Sequence, residues 1–250
     1  MRRSCASMCA VVLLCAGVIF AHDSEPINTE FAAPFARGAG NVQLKFQHFK
    51  EAESYDLLPF EFEYGFASRQ QFAIEFPLTR RVDQDQSHIR PGNIGLSYRY
   101  LLAGDNARKF SLSINPELEL PTGDKRVAER SVDAGLFVHL DTNLAKRFWT
   151  HTNVGYETQV ARIDEREKNL VYKFAAMYEA RHWIQSVIEL IGSHDLAAHT
   201  TEMAIVPEVI FVPDHPWEMK FGLPVGLTKS TPDIGIQLQL TWKFGKNQRE

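Results

Sequence analysis

The chain runs to 250 residues, 44% hydrophobic and 23% charged, with a formal net charge of −4. That mild acidity, with no basic stripe along the chain, argues against a nucleic-acid partner. Its three cysteines, Cys5, Cys9 and Cys15, all lie close to the N-terminus, so a small secreted domain stapled by disulfides is excluded.

Residues 1–21 read as a cleaved export signal. Arg2 and Arg3 supply the positive start, Ala6 to Phe20 the short apolar core, and Ala21 the small residue before His22-Asp23-Ser24-Glu25. The apolar run falls short of the roughly 20 residues a spanning helix needs. Losing Arg2 and Arg3 would leave the mature chain two units more negative. Residues 22–40, with Pro26, Pro34, Gly38, Gly40 and no periodicity, read as a loose N-terminal lead-in. A β-barrel is expected over residues 41–245 and a polar tail over 246–250.

The strand candidates follow in chain order. The first sets Val42, Leu44 and Phe46 against Gln43, Lys45 and Gln47, and the second Leu58 to Phe66 against Glu61 and Glu63. The third carries Phe72, Ile74, Phe76 and Leu78 opposite Glu75; the fourth Ile94, Leu96, Tyr98 and Tyr100 opposite Ser97 and Arg99. The fifth alternates Phe110 to Leu120 with Ser111, Ser113, Asn115, Glu117 and Glu119, and the sixth has Ala134 to Leu140 opposite Asp133 and His139. In the seventh, Phe148, Val154 and Tyr156 share a face and His151 and Asn153 take the other. Leu170, Tyr172, Phe174 and Tyr178 define the eighth, while the ninth, Trp183 to Ile191, has no clear phase. Met203 to Phe211 form the tenth and Trp217 to Leu227 the eleventh. The twelfth is the cleanest: Ile234, Ile236, Leu238, Leu240, Trp242 and Phe244 face one way, and Gly235, Gln237, Gln239, Thr241 and Lys243 the other.

Side chains alternate across a strand with period two, so each segment has an apolar and a polar wall. A Lys or Arg on the lipid face near mid-bilayer costs roughly 2–4 kcal/mol. Turning the sheet inside out would place Lys45, Arg99, Lys173, Lys220 and Lys243 in hydrocarbon, so the apolar wall should face out. An exported chain with no helical span and about twelve such strands is expected to be an all-β, antiparallel, up-and-down transmembrane barrel. It would sit in the outer membrane of a Gram-negative bacterium, with lipid and the barrel assembly machinery as partners. A secreted periplasmic β-protein with one buried face is the soluble alternative.

The links support the barrel. Short ones are expected near Ala67-Ser68-Arg69, Glu179 to His182 and Pro213 to Pro216; long polar ones at Arg80 to Gly92, Thr122 to Ser131, Thr158 to Asn169 and Gly192 to Thr200. Such barrels alternate short periplasmic turns with long outer loops. An even strand count places both termini on the periplasmic side. Pro59, Pro116, Pro207 and Pro224 inside candidate strands remove ladder hydrogen bonds and are expected to mark bulges or strand ends.

The runs Gly92-Asn-Ile-Gly-Leu-Ser-Tyr-Arg-Tyr-Leu-Leu102, Pro116-Glu-Leu-Glu-Leu-Pro-Thr-Gly-Asp124, Asn153-Val-Gly-Tyr156 and Gly222-Leu-Pro-Val-Gly-Leu227 onward to Phe244 carry a resemblance. On them the chain resembles the outer-membrane family labelled for the MetA pathway of phenol degradation. The resemblance implies an outer-membrane barrel and a transporter-like channel for small organic compounds. It carries over no catalytic residue.

The expected lumen wall holds Glu61, Glu63, Glu75, Glu117, Glu119, Asp133, Glu208 and Glu218, with fewer bases, Lys45, Arg99, Lys220 and Lys243, besides Lys173. A carboxylate-lined pore would favour small cationic or polar solutes; a network of paired charges would instead plug it. His139 and His151 lie on neighbouring strands, with Asp133 and Asn153 close in sequence. A membrane-embedded lipid-modifying hydrolase would need such groups at the lipid boundary, and His151 has no serine beside it. No metal-ligand spacing and no cofactor motif is present. His88, His194 and His199 with Asp83, Asp85 and Asp195, and the run Arg162 to Lys168, read as solvated outer loops. Trp149, Tyr156, Tyr172, Tyr178, Trp217 and Trp242 are expected in interfacial girdles. The expected function is a porin-like channel for uptake or efflux, with a hydrolase or a non-conducting structural barrel as alternatives.

Overall fold

The computed structural model describes residues 24–50, 55–83, 86–104, 110–128, 130–160, 167–214 and 216–245. The expected export signal, the residues 162–166, Asp85 and the tail 246–250 lie outside them. Alternating apolar and polar residues cannot bury both walls of an open sheet, and here the sheet closes on itself. The strands are β1 (Gly40–Lys50), β2 (Tyr55–Ala67), β3 (Gln70–Asp83), β4 (Gln86–Pro91), β5 (Ile94–Gly104), β6 (Phe110–Leu120) and β7 (Asp133–Ala145). They continue as β8 (Phe148–Gln159), β9 (Lys168–Arg181), β10 (Ile184–Asp195), β11 (Thr200–Asp214), β12 (Trp217–Gly222), β13 (Val225–Gly226) and β14 (Ile234–Phe244).

Neighbours in sequence pair antiparallel, and β1 pairs with β14 from Gly40↔Phe244 to Lys50↔Ile234 to close the ring. β4 with β5, and β12 with β13, are each one stave broken in the middle, so the barrel has twelve staves. Both ends of the sheet, Gly40 and Phe244, meet at one rim, called the terminal rim below. The link expected as a long polar loop at Arg80 to Gly92 is instead mostly strand: β3 runs on to Asp83 and β4 pairs back on it from Asp83↔Gln86 to Leu78↔Pro91.

The walls divide as alternation requires. Leu238 is 44% exposed on the outside, while Gln237 and Gln239 on either side of it are 2% and 3% exposed. Leu44, Phe60, Phe76, Leu118, Leu136, Phe174 and Ile188 extend this apolar band around the barrel. Leu238→Arg is expected to lower the unfolding free energy by about 2–4 kcal/mol, read by denaturant titration in lipid vesicles. Ser230→Arg on an exposed link should leave the midpoint unchanged.

The prolines correct one expectation. Pro59, Pro116 and Pro207 mark neither bulges nor strand ends; they interrupt the ladder without shifting its register. β1–β2 pairing skips from Leu44↔Phe60 to Gln47↔Leu57, beside Pro59. β5–β6 pairing skips from Ser97↔Glu117 to Tyr100↔Ile114, beside Pro116. Pro207 and Pro224 share one gap between Glu208↔Gly222 and Ile205↔Val225, the break between β12 and β13, so that Pro224 does fall at a strand end. Missing one N–H costs a ladder bond on one side only, and the pairs beyond the gap hold the register. The register shifts lie elsewhere, at Gly65/Ala67, Leu101/Ala103, Asn143/Ala145, Ile184/Gln185 and Phe211/Asp214.

The segment expected as a loose lead-in is not loose. Residues 24–37 form no regular structure, yet Ser24, Ile27, Thr29, Phe31, Ala32, Ala33 and Ala36 are all buried, inside the barrel. Phe31 packs into an apolar patch of the inner wall made by Ala175 and Met177 of β9, Val187 of β10 and Ile210 and Val212 of β11, with Trp149 against it. Burying one phenylalanine side chain contributes roughly 1.5–3 kcal/mol. The segment leaves through Gly38, whose φ of +86° suits glycine, and Gly38 N donates to Gly65 O at 2.7 Å. A Cβ on Gly65 would collide with the carbonyl oxygens of Phe35 and Ala36.

Candidate functional site: an occupied lumen and an acid-lined vestibule

A buried stretch of irregular backbone must find partners for its N–H groups. The barrel wall supplies them from side chains. Ser24 Oγ donates to Glu218 Oε1 at 2.8 Å, and Ile27 N to the Glu208 carboxylate at 3.1 and 3.3 Å. At the apex, Thr29 N donates to Glu189 Oε1 at 2.7 Å, with Asn28 N and Nδ2 on the same carboxylate. Returning toward the rim, Ala32 N donates to Asp141 Oδ2 at 2.8 Å and Phe35 N to Gln71 Oε1 at 2.8 Å. Gln71 is itself oriented by donating to Glu63, which also accepts from Asn41 and Gln43.

One cation fixes the segment electrostatically. Arg99, 2% exposed, pairs with Glu30 and with Glu25 at 3.5 Å, both from the segment, and stands 4.0 Å from Glu63 of the wall. Near the terminal rim Lys243 pairs with Glu218, and Lys220 lies 4.0 Å from it. Charge-assisted bonds of this kind are the strong ones, and three carboxylates share one buried guanidinium.

The expected lumen residues all lie on the inner wall, and they divide into two groups. Glu63, Arg99, His139, His151, Glu208, Glu218, Lys220 and Lys243 surround the buried segment. Glu61, Glu75, Glu117, Glu119 and Asp133 instead line a cavity of about 270 Å³ in the half of the lumen away from the termini. Lys45 reaches Glu61 there at 3.5 Å. Glu157 adds a further carboxylate, and Glu30 at the apex of the segment forms the floor. The mouth is held by the Pro121 to Asp124 turn: Gly123 N donates to Asn93 Oδ1 at 3.0 Å, Asp124 N to Pro91 O at 2.8 Å, and Arg90 pairs with Asp124 at 3.0 Å. Hydrogen bonds from the exposed Arg126 hold the Asp124 carboxyl well below the ordinary carboxylate range. Two of the runs that carry the family resemblance therefore meet at this clamp, where the β4–β5 stave breaks.

His151 and His139 are 3% and 1% exposed and face the lumen, away from the lipid boundary a lipid hydrolase would use. The carboxylate beside His151 is Asp141, with Nδ1 at 2.8 Å from Oδ1, and not Asp133, which pairs across to Gln159 near the far mouth. His151 also lies against the Phe31 ring, with centroids 4.7 Å apart. Neither histidine joins a group of three or more metal-ligating side chains among the described residues. On the loops, Asp195 accepts from Ala197 N and Ala198 N, an ordinary local turn.

The girdle needs one correction. Trp149 points inward onto the apolar patch, because it precedes His151 by two and shares its wall. Tyr156, Trp217 and Trp242 are exposed outside, 41–47%, and Tyr172 and Tyr178 are half-buried on the same wall. At the terminal rim Trp242 contacts Trp217 and Phe244, and Phe244 stacks on Phe62 at 5.9 Å. Tyr64, Phe66, Phe72 and Tyr98 continue this belt. Sequence reasoning missed Phe62, Tyr64, Phe66, Phe72, Tyr98 and Phe244 as girdle members, although each lies on the apolar wall of its strand. It also missed Glu189, Asp141 and Gln71 as holders of the segment.

No family model matches the chain, and no curated protein matches it. Solved structures do. An outer-membrane channel from Pseudomonas putida F1 superposes with a TM-score of 0.70 at 12% identity, over 89% of this chain and 100% of that one. The NanC porin gives 0.60 at 8% identity, and the KdgM porin in complex with disordered oligogalacturonate 0.59 at 10%, each over 82% of this chain and all of its own. At these identities the likeness shows the fold: a closed antiparallel barrel of the kind seen in outer-membrane channels and porins.

Proposed function

We propose that the chain is an outer-membrane channel for small solutes, held closed by its own N-terminal segment and entered through an acid-lined vestibule that favours cations. One observation carries this reading: much of the lumen is filled by the chain's own N-terminal segment, tethered at β1 and docked by non-covalent contacts, and not only by the side chains of the staves. Eight-stranded barrels fill themselves, and barrels of 16 or more strands leave an aqueous channel. Twelve staves enclose room for one looping peptide, whose departure would leave a passage. The apolar outer wall and the solved channels of the same fold support the outer membrane of a Gram-negative bacterium as its location. Export by a cleaved signal and insertion by the barrel assembly machinery complete the proposal, and the family resemblance supports small organic compounds among the solutes.

Recording in planar bilayers tests it. Wild-type protein should be closed for most of the time, with discrete openings. Glu117→Gln with Glu119→Gln should lower the preference for cations over anions. Each carboxylate contributes about 1 kcal/mol at 4 Å in water, roughly a fivefold effect. A barrel that never conducts, in the wild type or with its segment loosened, would be a structural protein and would reject the channel.

A further inference from the structure

The wall grips the main chain of the buried segment as well as the side chains of Ser24, Glu25, Asn28 and Glu30. Asn153, 2% exposed, accepts from Glu30 N at 2.8 Å through Oδ1 and donates to Glu30 O at 2.9 Å through Nδ2. A side-chain amide that engages both halves of one residue's main chain recognises an amide backbone. Around it, Glu189, Glu208 and Asp141 accept main-chain N–H groups of Ile27, Asn28, Thr29 and Ala32. His139 Nδ1 lies 3.4 Å from the Phe31 carbonyl oxygen. Beside these polar groups lies the apolar patch of Met177, Val187 and Ile210, filled by the Phe31 ring. Backbone acceptors, backbone donors and a pocket for one apolar side chain are together the requirements of peptide recognition.

We infer that the lumen is a peptide-binding site whose built-in occupant is the segment around Asn28–Ala32, and that the solute it takes is a short peptide with a bulky apolar side chain. This rests on the channel reading for how such a solute reaches the site. The tethered segment competes with any free peptide at an effective concentration in the millimolar range. A free peptide therefore binds detectably once the segment's own anchor is weakened, and the apparent affinity falls in proportion to the fraction of barrels that are vacant.

The test uses the full chain in detergent and the fluorescence of Trp149, which packs on the patch. The probe is the acetylated, amidated tetrapeptide Asn-Thr-Glu-Phe, with its backbone N-methylated counterpart and a neutral trisaccharide as comparisons. In Phe31→Ala, which empties the patch and leaves the wall intact, the tetrapeptide should bind at least tenfold more tightly than to the wild type. The N-methylated form should be at least tenfold weaker, and Trp149→Phe in the same background should abolish the signal. Equal binding of the N-methylated peptide, tighter binding of the trisaccharide, or no saturable change would overturn the inference. Should Phe31→Ala not assemble, Phe31→Val is titrated with the same three probes and the same outcomes decide. A barrel that conducts but fails these titrations loses only the peptide assignment; one that passes them but never conducts loses only the channel.

Discussion

Arg99→Met should convert a mostly closed barrel into a mostly open one. Arg99 is the wall's buried partner for Glu25 and Glu30 of the segment. Removing one member of a buried charge network costs roughly 3–5 kcal/mol, because the carboxylates left behind stay desolvated. Undocking relieves that cost by returning Glu25 and Glu30 to water, so the substitution acts on the docked state. The undocked population should rise about 10²- to 4 × 10³-fold, since each 1.4 kcal/mol is a factor of ten. Bilayer recording reads it as long openings, and limited proteolysis as rapid cleavage near residues 24–37. Arg99→Lys keeps the charge but loses the planar fork, and should fall between the two. Openings no more frequent than in the wild type would show that Arg99 does not hold the segment.

Glu189→Leu should have the second largest effect, on stability as well as conductance. Its carboxylate accepts from Asn28 N, Asn28 Nδ2 and Thr29 N, and it is fully buried. Leucine leaves the two main-chain donors without an acceptor, at about 1–3 kcal/mol for each unsatisfied group, while Asn28 Nδ2 keeps Gln237 Oε1 at 3.1 Å. Glu189→Gln retains one acceptor oxygen and should cost about 1 kcal/mol. Hydrogen exchange at the Asn28 and Thr29 amides checks this: fast in Glu189→Leu, nearly as slow as the wild type in Glu189→Gln. Glu119→Gln, on a carboxylate exposed in the vestibule, should leave those amides protected. Equal exchange in all three variants would mean that the inner carboxylates do not hold the segment.

Most of the barrel was legible because lipid on one side and polar groups on the other impose a period of two on every stave. The apolar row Ile234 to Phe244 and its polar partner row appear on opposite walls as written in the sequence. The ninth candidate had no clear phase for a physical reason. On β10 Val187 turns inward to the patch while Ile188 faces out, and on β11 Ala204, Val206, Ile210 and Val212 are also inside. Where both walls are apolar, alternation vanishes. The buried segment was illegible for another reason: its backbone pairs with side chains, which imposes no repeat. Two signals were present all the same. Ile27, Phe31 and Phe35 are bulky apolar residues in an otherwise small and polar stretch. The inward acids outnumber the inward bases, and the surplus at Glu189, Glu208 and Asp141 serves as acceptors for the segment. Pro59, Pro116 and Pro207 misled because the ladder tolerates a lost N–H as a gap without a bulge, whereas Pro224 falls at a strand break as expected.

Thiol accessibility at residue 29 decides whether the segment lies inside the barrel. The cysteines of the chain stand only at positions 5, 9 and 15, and Thr29 is 1% exposed with its hydroxyl unpartnered. In Thr29→Cys made on a chain with those three replaced, a maleimide-polyethylene glycol reagent should fail to label the folded barrel and label it at once after boiling. Ser230→Cys, on an exposed link, should label at once in both. Labelling of residue 29 in the folded barrel as fast as residue 230 would contradict a lumen filled by the chain's own N-terminal segment.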